Sequence, residues 1–110
     1  FTNYQNCVIF WLLTSLRARL VTIAVGTGSD RQHAQMVLNE HGLLAQLSAL
    51  VTADDVTQGK PHPETFVRAA ELMGVAPQHC VVFEDTDMGR KAAVDGGMAC
   101  FMVDNTRLIY

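Results

Sequence analysis

The chain has no basic run, no long apolar run and no paired cysteines, and each absence removes a class of function. Its 8 Lys and Arg residues are scattered among 11 Asp and Glu, leaving a net charge of −3 and a pI near 5.7. No positive surface is therefore on offer to a nucleic-acid backbone. The longest apolar stretch, CVIFWLL at residues 7–13, has seven residues, far short of the roughly 20 that a membrane-spanning helix needs. Basic residues, Arg17 and Arg19, follow it rather than precede it, which is the wrong order for a secretory leader. The three cysteines, Cys7, Cys80 and Cys100, are an odd number without CxxC spacing. They predict buried, reduced thiols in a cytoplasmic protein.

What is present reads as one globular domain over residues 1–110. Hydrophobic residues make up 49% and charged residues 17%, enough apolar material to bury a core and too little charge for disorder. No internal repeat, low-complexity tract or long linker divides the chain.

From residue 21 onward, strand-like and helix-like stretches alternate. VTIAVG (21–26) is β-branched and apolar at strand length, as a parallel strand buried on both faces should be. Ser29 with Gln32 resembles a capping box, and Ala34, Val37, Leu38 and His41 then recur at helical spacing up to Gly42. ALVTA (49–53) reads as a second strand, ending at Asp54 and Asp55. Pro63 suits a first helical position and Gly74 a helix end, with Phe66, Ala69, Ala70 and Met73 as the apolar stripe between them. CVVFED (80–85) is a third strand, residues 87–95 a helix stopped by Gly96 and Gly97, and MACFMV (98–103) a fourth strand. This alternation predicts right-handed βαβ crossovers and an α/β fold, a parallel sheet covered by helices on both faces.

Such sheets bind ligands beyond the carboxyl ends of their strands. Thr27 with Ser29, Asp54 with Asp55, and Glu84 with Asp85 all fall at those ends, and Gly59-Lys60-Pro61 lies in the loop before a helix. Two adjacent carboxylates repel unless a cation lies between them, and hard oxygen donors suit Mg²⁺. Capping of the next helix accounts for Thr86 and Asp87 but less readily for Glu84. GTGS (26–29) points backbone N–H groups and a positive helix end at an anion. It lacks the following GK[ST] of a Walker A loop and the third glycine of GxGxxG, so taken alone the stretch reads first as a plain helix cap. Lys60 stands on a backbone stiffened by Pro61 and Pro63, placed to offset phosphate or carboxylate charge; the competing reading is an ordinary surface lysine. His33, His41 and His79 have no ligand spacing and read as structural, while His62 lies beside Lys60.

Taken in order, Thr27, the run GKPHPETF and the run VVFEDTDMGRKAA resemble the haloacid dehalogenase-like hydrolases. The branch is the one containing β-phosphoglucomutase and small sugar-phosphate phosphatases. AVGTGS and CVVFED look closest to fructose-1-phosphate-type phosphatases, and the likeness covers residues 21 to about 104. The resemblance implies a three-layer Rossmann-like core and hydrolysis of a small phosphate monoester through an aspartyl-phosphate. In this chain it implies Thr27, Gly28 and Ser29 at the phosphoryl group and Lys60 offsetting charge there. It implies Mg²⁺ on Asp85, with Glu84 as a direct or water-mediated ligand. The Lys60–Pro61 bond resembles one that is often cis in this branch.

One departure bears on activity. Family members begin with a strand ending in DxDGT, which supplies the nucleophile and the acid/base, and no such run occurs here. In the nearest echo, VIFWLLTSL (8–16), Trp11 and Leu13 stand at the two Asp positions. This stretch is either a degenerate first strand or a helix before the strand at residue 21. The spacing of Ile9, Leu12, Leu13, Leu16 and Leu20 favours the helix. So does the crossover length of about 10–12 residues that a strand at 8–13 would not leave. The expectation is a family core incomplete at its N-terminus, lacking the substrate-selecting cap, and inactive alone for want of a nucleophile. A non-catalytic phosphate- or partner-binding remnant and a mutase fragment are the alternatives. The family's first strand lies between those carrying Thr27 and Glu84-Asp85, so its loss predicts either two open inner edges or direct pairing of the two strands. Open edges recruit partners, hence an expectation of self-association.

Overall fold

Four short parallel strands and three helices alternate along residues 21–103, the residues that the computed structural model of the protein describes. In chain order they are β1 (Ala24–Gly26), α1 (Arg31–Glu40), β2 (Ala49–Val51), α2 (Glu64–Met73), β3 (Val81–Glu84), α3 (Asp87–Asp95) and β4 (Ala99–Met102). The fold is α/β, as the alternation predicts. The competing strand and helix readings of residues 8–20 lie outside the described residues.

β1 pairs in parallel with β2, Val25 opposite Leu50 and Gly26 opposite Val51. β3 pairs in parallel with β4, Val82 opposite Cys100 and Phe83 opposite Phe101. Among the described residues β1 and β3 do not pair, so the direct joining that a lost central strand allows does not occur.

Helix positions follow from strand alternation, since successive side chains point to opposite faces. Val25 and Leu50 meet a buried cluster of Ile23, Leu38 and Leu43 on the α1 side. Gly26, on the opposite face of the strand, lies against Thr65 and Phe66 of α2. The β1–β2 pair is thus covered on both faces. On β3 and β4, Val82 and Cys100 face a second cluster of Phe66, Ala70, Cys80, Ala92, Ala93 and Met98, built from α2, α3 and the strand approaches. Ala92 and Ala93 are fully buried, and their small side chains let α3 sit close on the sheet.

Among the described residues, helices cover only one face of this second pair. Val81, Phe83 and Phe101 point away from α2 and α3 and remain 51%, 46% and 61% exposed. The two rings stack on each other at 5.9 Å. A continuous apolar run signals burial on both faces, but it cannot say which element supplies the second cover.

Three smaller differences are local. β1 is half as long as VTIAVG because β2 offers only three residues of ladder. Asp30, not Ser29, caps α1, its Oδ1 accepting from the His33 N–H at 2.8 Å. Pro63 occupies the cap before α2 rather than its first turn. The Lys60–Pro61 bond is cis, in agreement with the resemblance. No helix among the described residues is long and apolar enough to cross a membrane.

Candidate functional site

The carboxyl ends of β1 and β3 are joined by one side chain. Lys60 Nζ donates to the Gly26 carbonyl at 3.2 Å, where β1 ends, and to Glu84 Oε2 at 3.1 Å, where β3 ends. The ammonium also stands 4.6 Å from the centroid of the Phe66 ring, a cation–π position. Lys60 and Glu84 side chains are only 18% and 10% exposed. The lysine is therefore no ordinary surface residue. Its loop is held from below by Glu64, whose carboxylate accepts from the Thr57 and Gln58 N–H groups at 2.8 and 3.1 Å.

Glu84 is engaged on both oxygens. Besides the lysine on Oε2, Oε1 accepts from Asp85 N–H at 3.0 Å and from Thr86 N–H and Oγ1–H, both at 3.2 Å. Burial would raise its pKa, but the charge and hydrogen bond of Lys60 outweigh that and hold it below the ordinary carboxylate value. Asp85 is pushed the other way, first by burial and then by its neighbour Glu84. A carboxylate raised in this manner gains most from a nearby cation. Thr86 caps α3, its Oγ1 accepting from Gly89 N–H at 3.0 Å, so capping explains Thr86 while Glu84 serves the lysine.

Thr27 follows Gly26 directly, and its N–H donates to Val51 O at 2.9 Å. Its Oγ1 accepts from the Ser29 N–H at 3.1 Å, which closes the GTGS turn. The Ser29 N–H is thus taken up within the turn, whereas Gly28 is exposed.

Asp54 and Asp55, at the end of β2, serve a different purpose. Asp54 Oδ2 accepts from Arg31 N–H at 2.9 Å. Asp55 Oδ2 accepts from Thr52 N–H and Oγ1–H at 2.8 and 2.9 Å and from the Arg31 guanidinium. Arg31 also donates to Leu50 O at 2.9 Å. These carboxylates tie Arg31, at the start of α1, to the end of β2. The hydrogen bonds from Thr52, then the arginine, hold Asp55 below its ordinary value of 3.8. His62 accepts from the Glu64 N–H at 3.1 Å, and the ring of His41 bonds Val37 O at 2.9 Å; both are local structural roles.

Among the described residues no group of three or more His, Cys, Asp or Glu gathers to hold a metal by protein donors alone. Mg²⁺ does not require one, since it keeps several waters and takes one or two carboxylates plus substrate phosphate oxygens. Glu84 and Asp85 supply two adjacent carboxylates of the kind that demand calls for, and Glu84 also accepts from Lys60 and from the turn after β3.

Residues 12–97 match the haloacid dehalogenase-like hydrolase family. The chain belongs to that family. It is 49% identical over 76 residues to the fructose-1-phosphate phosphatase YqaB of Escherichia coli, covering 69% of this chain and 40% of that protein. It is 38% identical over 95 residues to the validoxylamine A 7'-phosphate phosphatase of Streptomyces hygroscopicus, covering 86% and 45%. Among solved structures, β-phosphoglucomutase from Clostridium difficile superposes with a TM-score of 0.79 at 26% identity, over 93% of this chain and 51% of that one. A family hydrolase from Deinococcus radiodurans, solved with bound phosphate and sodium, gives 0.78 at 32% identity, over 84% and 42%. The chain therefore spans less than half the length of these curated relatives.

Of the residues singled out from the sequence, the structure brings Lys60 onto Glu84 and onto the carbonyl of Gly26, next to Thr27, with Asp85 following Glu84; it brings Asp54 and Asp55 onto Arg31 instead. The sequence reading did not place Phe66, Arg31 or Gly89 at the site. The partners of Arg31 lie more than twenty residues away in sequence. For Gly89 a signal existed: a glycine in the first turn of a helix, where it is a poor former.

Proposed function

We propose that this domain is the phosphoryl-binding part of a phosphatase acting on small phosphate monoesters of the sugar-phosphate class. The observation that carries the reading is the Lys60 ammonium, fixed between Gly26 O and Glu84 Oε2 over Phe66. A cation held at that point, on the carbonyl of the residue before Thr27, suits a phosphoryl group. Lys60 offsets its negative charge, Thr27 donates to one of its oxygens, and Gly28, an exposed residue, lies on the same loop. Preorganised donors of this kind act through electrostatics, with no reorganisation at the moment of reaction. Asp85 would hold Mg²⁺, with Glu84 through water, and the ion would neutralise phosphate charge. The phosphatase names of the relatives at 38–49% identity support the substrate class.

The chain carries no DxDGT run, and Asp54 and Asp55 are tied to Arg31 and Thr52. The polypeptide by itself accordingly binds Mg²⁺ and phosphate without turnover. The exposed Val81, Phe83 and Phe101 support self-association as well, since apolar sheet surface of this kind recruits partners. Calorimetry with Mg²⁺ and inorganic phosphate, beside a phosphate-release assay on fructose 1-phosphate, tests the reading. Saturable Mg²⁺-dependent phosphate binding, lost in Lys60→Ala, is expected. Absence of binding overturns the reading, and robust Mg²⁺-dependent release overturns its no-nucleophile part.

A further inference from the structure

We propose that Gly89 is a positioning residue, the bare surface on which the Glu84 carboxylate rests and through which Lys60 is aimed. Gly89 is buried, in the first turn of α3. Its φ is not in the left-handed region, so its backbone does not require glycine. Helix propensity argues against glycine at this point, because alanine is the better former. The reason lies in space. A methyl group added at Gly89 would overlap Cγ, Cδ and Oε2 of Glu84. Those are not the far end of a free side chain. Oε2 is the atom that receives Lys60, and Oε1 is pinned by three donors from the turn after β3.

Any side chain at 89 therefore has to push the carboxylate away from Lys60 or from the α3 cap. The ammonium would keep Gly26 O and the Phe66 ring but lose its anion. Its height above the ring and its distance from Thr27 would then no longer be set from the β3 side. The geometric statement stands without any ligand, while its consequence for phosphate rests on the function proposed above.

A double-mutant cycle on the full chain separates the two. Thermal unfolding is measured for the parent, Gly89→Ala, Glu84→Ala and the double variant. Gly89→Ala is expected to lower Tm by several degrees when Glu84 is present and to leave Tm unchanged or raised when residue 84 is Ala. An equal loss in both backgrounds, or a rise in the Glu84 background, overturns the seat. Should Glu84→Ala not fold, Glu84→Asp replaces it in the cycle; the shorter carboxylate is expected to halve the loss or better, and an undiminished loss overturns the proposal. Calorimetric titration with inorganic phosphate in excess Mg²⁺ supplies the positioning readout. Gly89→Ala is expected to weaken binding tenfold or more, with part of that recovered by adding Glu84→Asp; unchanged affinity overturns the link to Lys60. A parent chain that binds no phosphate refutes the phosphatase reading, yet leaves the thermal cycle free to judge the seat.

Discussion

The two strand pairs read alike as sequence, VTIAVG and ALVTA in one, CVVFED and MACFMV in the other, yet they live in different surroundings. β1 and β2 have α1 on one face and α2 on the other, so Val25 and Leu50 pack on one side while Gly26 and Val51 face the other. Among the described residues β3 and β4 have α2 and α3 on one face, and Val81, Phe83 and Phe101 on the other face are exposed. Apolar composition reports that a strand is suited to burial. It does not report that a cover is supplied within the described residues. The site lies where the two environments meet, with Lys60 reaching from the end of β1 to the end of β3.

The widest separation between the two faces should appear in truncations of phenylalanine. Phe66 is 8% exposed, belongs to the buried cluster and supports Lys60. Phe66→Ala is expected to cost about 3–5 kcal/mol, the usual range for a buried aromatic. Equilibrium urea unfolding checks it. A loss below about 1 kcal/mol would mean that the α2–α3 side is no better packed than the bare side.

Next in size is overpacking of the covered side. Ala92 and Ala93 have no exposed surface, and α3 approaches the sheet through them. Ala92→Leu is expected to destabilise by about 1–3 kcal/mol by forcing the helix outward. The same change at exposed Ala99, on the other face of the β3–β4 pair, should fall within about 0.5 kcal/mol, as surface substitutions do. Urea midpoints of the two variants measure the difference directly.

How far the sequence is legible follows the same line. Elements set by local chemistry are readable: the β-branched runs, the stripe of Phe66, Ala69 and Ala70, Gly74 closing α2 with φ 70°. Caps are readable to within a residue, because Ser29 and Asp30 are both good cap types and only the backbone decides between them. The motif residues Thr27, Lys60, Glu84 and Asp85 are readable because each stands at a strand end or in the loop before a helix. The work each carboxylate does is not. Asp55 and Glu84 are both acidic residues at or just beyond strand ends, yet one closes a capping box beneath Arg31 and the other holds Lys60. Their partners are about 24 residues away along the chain, and no local pattern records that distance. The uncovered face of β3–β4 is equally invisible, since it depends on what packs there rather than on the strands.

The Asp55 clamp offers a smaller effect, confined to the doubly covered pair. Asp55→Ala removes a capping box and an ion pair with a partly exposed arginine, with an expected cost of about 1 kcal/mol near neutral pH. The pH dependence has a definite sign. Asp55 titrates below its ordinary 3.8 in the folded chain, so its contribution is complete above 3.8 and is lost as pH falls through the folded-state value. The parent should lose stability below pH 3.8 more steeply than the variant. Parallel acid limbs in urea unfolding would show that Thr52 and Arg31 do not hold this carboxylate.

The smallest effect on folding belongs to Phe101, and it carries the sharpest statement about the bare face. At 61% exposure its ring has little to lose except the stack on Phe83, whose plane lies 23° from its own. An aromatic pair contributes about 0.5–1.5 kcal/mol beyond area burial, least when wet. Phe101→Ser is therefore expected to cost about 1 kcal/mol or less, several-fold below Phe66→Ala. Its effect on association should run in the opposite order. If the face formed by Val81, Phe83 and Phe101 joins copies of the chain, light scattering should show the parent above monomer mass at high concentration and Phe101→Ser shifted toward monomer, with Phe66→Ala offering no such specific shift while folded. A parent that stays monomeric at every concentration would remove association from the reading and leave the bare face as an uncovered surface of the domain. A Phe101→Ser loss as large as that of Phe66→Ala would instead mean that the ring is buried in solution, and the contrast between the two strand pairs would disappear.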